Sequence, residues 1–190
     1  MNIAVFCGSS SGVDPIYEQQ ARALARALVE QGHGLVYGGG RVGLMGVIAD
    51  AVLEAGGEVI GVIPQALKDR EIQHTGITKL HVVEDMHQRK AMMAELADGF
   101  IAMPGGAGTL EEIFEVWTWA QLGYHHKPCG FFNVIGYYDG LIGFLEHMVD
   151  QGFMKPAYRE MLTVDADPEA LVAAFADYQA PVAKWENGKP

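Results

Sequence analysis

Short apolar runs alternate along the chain with longer stretches of mixed polarity, and the two kinds of segment have different periods. Residues 2–7, 35–37, 58–63, 79–83, 100–103 and 129–132 are compact apolar runs, which predicts six strands. Between them, segments rich in Ala, Leu, Glu and Gln predict helices at 15–31, 44–55 and 85–97, from Thr109 onward, and at 138–151 and 168–178. Gly32 and Gly34 end the first helix, Gly56 and Gly57 the second, and Asp85 and Asp167 supply N-caps. Residues 64–78 are polar and irregular and read as an exposed loop with one helical turn. The tail from Ala180 reads as frayed.

Most of the strands are apolar throughout instead of alternating, so both of their faces must be covered. That pattern predicts an α/β fold, a Rossmann-like doubly wound parallel sheet, as a single domain over residues 1–179. A length of 190 residues and a hydrophobic fraction of 49% suit one such core. Ligands of these sheets bind beyond the carboxyl ends of the strands, where strand order reverses. Glycine-rich turns follow Cys7 (GSSSG), Tyr37 (GGGRVGLMG) and Met103 (PGGAGT), each at the end of an expected strand.

Charge narrows the partners. A net charge of −11 with only 13 Lys and Arg argues against a nucleic-acid polymer, yet leaves room for a small phosphorylated ligand held by backbone amides and a few aimed cations. The amino terminus lacks a basic n-region and no apolar run approaches the ~20 residues of a membrane span, so a cytoplasmic protein without membrane contact is expected. Cys7 and Cys129 read as reduced core residues. His87 has no second ligand at metal spacing and the side chains of His125 and His126 diverge, so no metal is assigned.

Two stretches carry chemistry. After Met103, Pro104 stops the strand, while Gly105, Gly106 and Gly108 allow positive φ and close approach to the main chain. Thr109 is the expected N-cap, with Glu112 completing a T-x-x-E capping box. The unpaired amides of such a helix start suit a phosphate. In the second stretch, DMHQRK, Asp85 and Gln88 form a cap that places Arg89 and Lys90 in the first turns of a helix, where the dipole disfavours cations. If the fourth and fifth strands are neighbours, Arg89 reaches a bound phosphate or Glu112. Each feature also has a plain reading: Glu112 as cap only, Arg89 and Lys90 as a solvated pair, the glycines as tight turns. Glu111 and Glu115, one turn apart, read as a solvated or pocket-rim pair.

PGGAGTLEE, residues 104–112, matches the P-G-G-x-G-T-x-x-E motif of the LOG ("Lonely Guy") family, the cytokinin riboside 5'-monophosphate phosphoribohydrolases once misnamed lysine decarboxylases. DMHQRK, GGGRVGLMG, VWTWAQLG and NVIGYYDGL also resemble family features, so the likeness extends to about Thr163. The resemblance implies hydrolysis of the N-glycosidic bond of a nucleoside 5'-monophosphate, such as AMP or isopentenyladenosine monophosphate, to free base and ribose 5-phosphate. By motif position, Arg89 and Glu112 correspond to the catalytic pair. Substrate contacts fall on Glu71, Arg89, Lys90, Gly105, Gly106, Ala107, Gly108, Thr109, Leu110, Glu111, Glu112 and Thr118. No cofactor is expected. Decarboxylation with pyridoxal phosphate would need a Schiff-base lysine, and the one candidate, Lys90, falls at the expected phosphate site.

The chemistry of the residues agrees with that role. Cleaving a C1'–N bond builds positive charge on the ribose, which a carboxylate can stabilise while orienting water. Glu112 is the candidate and must point sideways, toward the sugar, because a phosphate would repel it. Arg89 either holds Glu112 ionised and oriented or donates to ribose or base. A non-catalytic nucleotide or nucleotide-cofactor carrier is the alternative. Ile113, Phe114, Val116, Trp117, Trp119 and Leu122 spread around the helix that leaves the PGGAGT turn, which predicts two covered faces. One of them is expected to be the interface of a homodimer, together with the helix at 86–96; the resemblance implies at least a dimer as well.

Overall fold

A computed structural model describes residues 1–70 and 72–181. Glu71 and residues 182–190, most of the expected frayed tail, lie outside the described residues. The chain runs β1 (Asn2–Phe6), α1 (Ile16–Glu30), β2 (Gly34–Tyr37), α2 (Gly43–Glu54), β3 (Val59–Pro64), α3 (Gln65–Lys68), β4 (Lys79–Val83), α4 (Met86–Leu96), β5 (Gly99–Ala102) and α5 (Ala107–Gln121). It continues with β6 (Cys129–Phe132), a 3₁₀ turn (Val134–Gly136), α6 (Asp139–Asp150), α7 (Pro156–Glu160), β7 (Leu162–Asp165) and α8 (Pro168–Ala176). The strands form one seven-stranded sheet in the order β4-β3-β2-β1-β5-β6-β7. Every pairing is parallel, so the Rossmann-like doubly wound expectation holds.

The apolar strands are buried on both faces for the reason the pattern suggested. Along β1 and the residue after it, Ile3, Val5 and Cys7 enter one core cluster with Leu24, Leu28, Ile48, Val52, Leu171 and Phe175, from α1, α2 and α8. Ala4 and Phe6 enter the opposite cluster with Met93, Ile113, Trp117, Leu145 and Tyr158, from α4 to α7. Gly32 (φ 75) and Gly56 (φ 82) stand just past α1 and α2, where a left-handed residue closes the last turn.

Several expectations change. Strand β7 and helix α7 had not been anticipated: LTVD is a short edge strand with three half-buried positions and lacks an apolar run. Strands β4 and β5 are not neighbours, since β3, β2 and β1 lie between them. Helix α4 nevertheless returns across the sheet, packing on β3, β2 and β1, and carries Arg89 with it.

The start of α5 also differs. The helix begins at Ala107 with Gly106 as N-cap and no side-chain cap, so Thr109 lies inside the first turn and the capping box does not form. The cap on α4 does form: Asp85 Oδ1 accepts from the Gln88 amide at 2.8 Å. The outer face of α5 is largely covered within its own chain. Trp117 is buried and its Nε1–H donates to the Tyr158 carbonyl at 3.1 Å, which leaves Phe114, Trp119 and Leu122 as the partly covered apolar positions.

Candidate active site

Strand order reverses between β1 and β5, and the three glycine-rich turns converge above that point. The Gly8 amide donates to the Pro104 carbonyl at 3.1 Å, and the Leu44 amide to the Gly8 carbonyl at 3.1 Å, so the first turn is tied to both others. Close packing, not backbone handedness, explains the glycine that opens the PGGAGT turn. A β-carbon at Gly105 would stand 2.1 Å from Thr109 Oγ1 and 2.9 Å from the Gly8 nitrogen. Positive φ was expected at Gly105, Gly106 and Gly108 and occurs at none of them; in the second turn Gly39 (φ 73) and Gly43 (φ 57) adopt it. Gly106 and Gly108 have open space where a side chain would be, leaving the first turn of α5 bare.

That bare turn faces a cavity of about 380 Å³, within the range of small-molecule sites. Gly106, Ala107, Gly108, Thr109, Glu111, Glu112 and Arg89 line it, together with Cys7, Gly8, Ser9, Gly38, Met45, Met86 and Met93. Arg89 and Glu112 are each only 9% exposed, and Arg89 Nη1 stands 3.6 Å from Glu112 Oε1. Arg89 Nε–H also donates to the Val62 carbonyl at 3.2 Å, which fixes the guanidinium from the β3 side. Burial raises the Glu112 pKa above the ordinary carboxylate range; the charge of Arg89 opposes this and that of Glu111 adds to it. The Cys7 thiol is pushed far up by burial and by Glu112, so it stays neutral and is no nucleophile.

Lys90 does not line the cavity. It is ion-paired with Glu111 and, at 3.0 Å, with Glu115, and the hydrogen bond to Glu111 leads the causes that raise its pKa. Leu110, in the first turns of α5, packs against the second core cluster and does not line the cavity. Thr118 is exposed and lines a different cleft, of about 340 Å³, with Trp117, Gln121, Phe153 and Tyr158. Within this chain it is not brought to Glu112. Glu71 lies outside the described residues, but its neighbour Ile72 accepts from the Arg41 amide at 2.9 Å, which ties that loop to the second glycine-rich turn. Gly38, Met45, Met86, Met93 and Ser9 were missed as cavity residues. The available signal was position, since Gly38 follows the end of β2 directly and Ser9 lies in the turn after β1.

Fold and site together define a doubly wound α/β protein with a small-molecule cavity at its switch point, where a buried carboxylate and guanidinium meet an open helix start. A family model described as "Possible lysine decarboxylase" matches residues 45–175. The chain is 51% identical over 177 residues to cytokinin riboside 5'-monophosphate phosphoribohydrolase LOG7 of Arabidopsis thaliana, covering 93% of this chain and 82% of that one. It is 51% identical over 175 residues to the cytokinin riboside 5'-monophosphate phosphoribohydrolase of Rhodococcoides fascians, covering 92% and 88%. The chain belongs to the LOG family. Among solved structures it shares its fold with the molybdenum cofactor carrier protein of Chlamydomonas reinhardtii, at 21% identity and a TM-score of 0.69 over 93% of this chain and 96% of that one.

Proposed function

We propose that this protein hydrolyses the N-glycosidic bond of a nucleoside 5'-monophosphate such as AMP or isopentenyladenosine monophosphate, releasing free base and ribose 5-phosphate. The observation that carries the reading is the buried Arg89–Glu112 pair beside the open first turn of α5. The names of the relatives from Arabidopsis thaliana and Rhodococcoides fascians support it.

In this reading the phosphate rests on the amides of Gly106, Gly108 and Thr109, and its binding energy aligns C1' of the ribose. Glu112 stabilises the cationic ribose as the C1'–N bond breaks and orients the water whose oxygen bonds to C1'. One water proton ends on the departing base nitrogen. Arg89 opposes the rise in the Glu112 pKa that burial causes and so favours the ionised carboxylate. Ala107 and Glu111 complete the wall around the ligand, and Lys90 holds Glu111 by an ion pair.

A pyridoxal-dependent decarboxylase, as the family model's description would have it, is disfavoured by Lys90. Its amine is held between Glu111 and Glu115, and these ion pairs favour the charged form over the neutral amine that a Schiff base needs. A carrier would need no carboxylate and guanidinium buried together in the cavity. We further infer a homodimer that uses α4 and the partly covered positions of α5, in the cytoplasm, with no nucleic-acid polymer or membrane as partner. The net charge of −11 and two buried unpaired cysteines fit that setting. No helix among the described residues is long and apolar enough to cross a membrane.

The test is incubation with AMP and isopentenyladenosine monophosphate, with chromatography for the free base. Glu112→Gln is expected to fold normally and to lose base release by about 10²–10⁴-fold, the scale of a positioned acid or base. Full turnover by the folded variant removes Glu112 from the mechanism, and tight AMP binding by the wild type without base release favours the carrier.

A further inference from the structure

The turn that would receive the phosphate has its carbonyls tied off in succession. The Met103 carbonyl accepts from Tyr138 Oη at 2.5 Å, the Pro104 carbonyl from the Gly8 amide at 3.1 Å and the Gly105 carbonyl from Tyr137 Oη at 2.7 Å. The Gly106 carbonyl takes the first bond of α5, from the Leu110 amide at 3.3 Å. A trans peptide is planar, so the C=O of one residue and the N–H of the next point in opposite directions. Holding the Gly105 carbonyl on one side therefore aims the Gly106 N–H to the other. Gly105 and Tyr137 line a second cavity, of about 320 Å³, while Gly106 lies between that cavity and the one holding Arg89 and Glu112.

The segment that delivers Tyr137 is built under strain. Ile135 sits at φ 45 and ψ 35 and is 65% exposed, a conformation that β-branched residues avoid. The surroundings impose it. Asn133 accepts from the Tyr138 amide at 2.7 Å and donates to Asp139 at 2.7 Å, while the Tyr137 amide donates to the Val134 carbonyl at 2.9 Å. The Tyr137 ring packs edge-on against Tyr138 at 4.9 Å and Tyr17 at 5.9 Å. An exposed strained residue held by this many bonds points to a use for what it presents.

We propose that Tyr137 is a positioning residue for phosphate recognition: its hydroxyl, on the Gly105 carbonyl, orients the Gly106 amide toward the phosphate of the substrate. This rests on the phosphoribosyl reading of the cavity. The role concerns binding, because the hydroxyl touches the turn and not the Arg89–Glu112 pair.

Tyr137→Phe removes one oxygen from a side chain that is 44% exposed, and its fold is checked by circular dichroism. Calorimetry with ribose 5-phosphate is expected to show affinity weakened about three- to tenfold, the scale of one lost hydrogen bond. The KM for AMP rises by the same factor, kcat stays within about twofold and adenosine affinity is unchanged, a split that a general loss of packing does not produce. Unchanged ribose 5-phosphate affinity, a fall confined to kcat, or loss of the fold each overturns the assignment. If the wild type binds ribose 5-phosphate but releases no base from AMP, the hydrolase reading fails and the Tyr137 comparison is decided on binding alone. If the wild type does not bind ribose 5-phosphate, both fall.

Discussion

Gly38 lies so close to Arg89 that a β-carbon there would stand 1.8 Å from the guanidinium Nη2. The first glycine of the second glycine-rich turn therefore makes room for a side chain delivered by α4, and its φ is not among the positive ones. Gly38→Ala is expected to push the guanidinium away from Glu112 while leaving its charge in place. A misplacement of about 1 Å at a reacting centre costs about 10²-fold in rate, so kcat/KM for AMP should fall by that order with the melting temperature little changed. Wild-type turnover by Gly38→Ala would detach Arg89's position from the chemistry.

Glu112 sets the pH dependence. Its pKa is raised, first by burial, so the acid limb of base release should lie above the ordinary carboxylate range. Arg89→Gln removes a charge that lowers the Glu112 pKa and should move the limb to higher pH; Glu111→Gln removes one that raises it and should move the limb lower. The stability effect runs the other way. With the folded pKa above the unfolded value, the ionised carboxylate destabilises the fold at pH above both. That penalty is relieved as pH falls through the folded pKa toward the unfolded one. Activity should drop over the window in which this group's contribution to stability improves. Rate profiles that superimpose for wild type, Arg89→Gln and Glu111→Gln would dismiss the electrostatic coupling.

Much of the site could be read from the sequence, because its parts are local. The Asp85 cap and the glycine-rich turns at Cys7, Tyr37 and Met103 are short-range signals, and they fall where expected. The chemistry of Arg89 and Glu112 suggests their pairing on the condition that β4 and β5 are neighbours; the two side chains meet although that condition is not fulfilled. Strand order is a long-range property, and α4 reaches across three strands to make the contact. Thr109 shows the limit of a local pattern. T-x-x-E suits a capping box, but Gly106, with no side chain to place, lets the helix start earlier. The LTVD strand was illegible because an edge strand needs no apolar run. The packing of Trp117 depends on α7, a helix of 5 residues that is too short to show a periodic pattern.

Trp117 and Trp119 separate folding from assembly. Trp117 is buried among residues of the second core cluster with its indole N–H bonded to Tyr158, so Trp117→Glu should unfold the chain. Truncating a buried Trp alone costs about 3–5 kcal/mol, and a buried charge adds to that, against a typical domain stability of about 5–15 kcal/mol. Trp119 is only partly covered. Helix α4 buries just Arg89 and Met93 and leaves Met86 42% exposed, so apolar surface on both helices lacks cover within one chain. The proposed two-fold pairing of this face would cover it and would bring the cavity that Met86 lines, with Arg89 and Glu112, next to the partner. Trp119→Glu is therefore expected to keep its circular dichroism spectrum while sedimenting increasingly as monomer, with base release from AMP falling in parallel. A wild type that sediments as a monomer at micromolar concentration with full activity would end the dimer proposal, and a Trp119→Glu variant that stays dimeric would move the interface off this face.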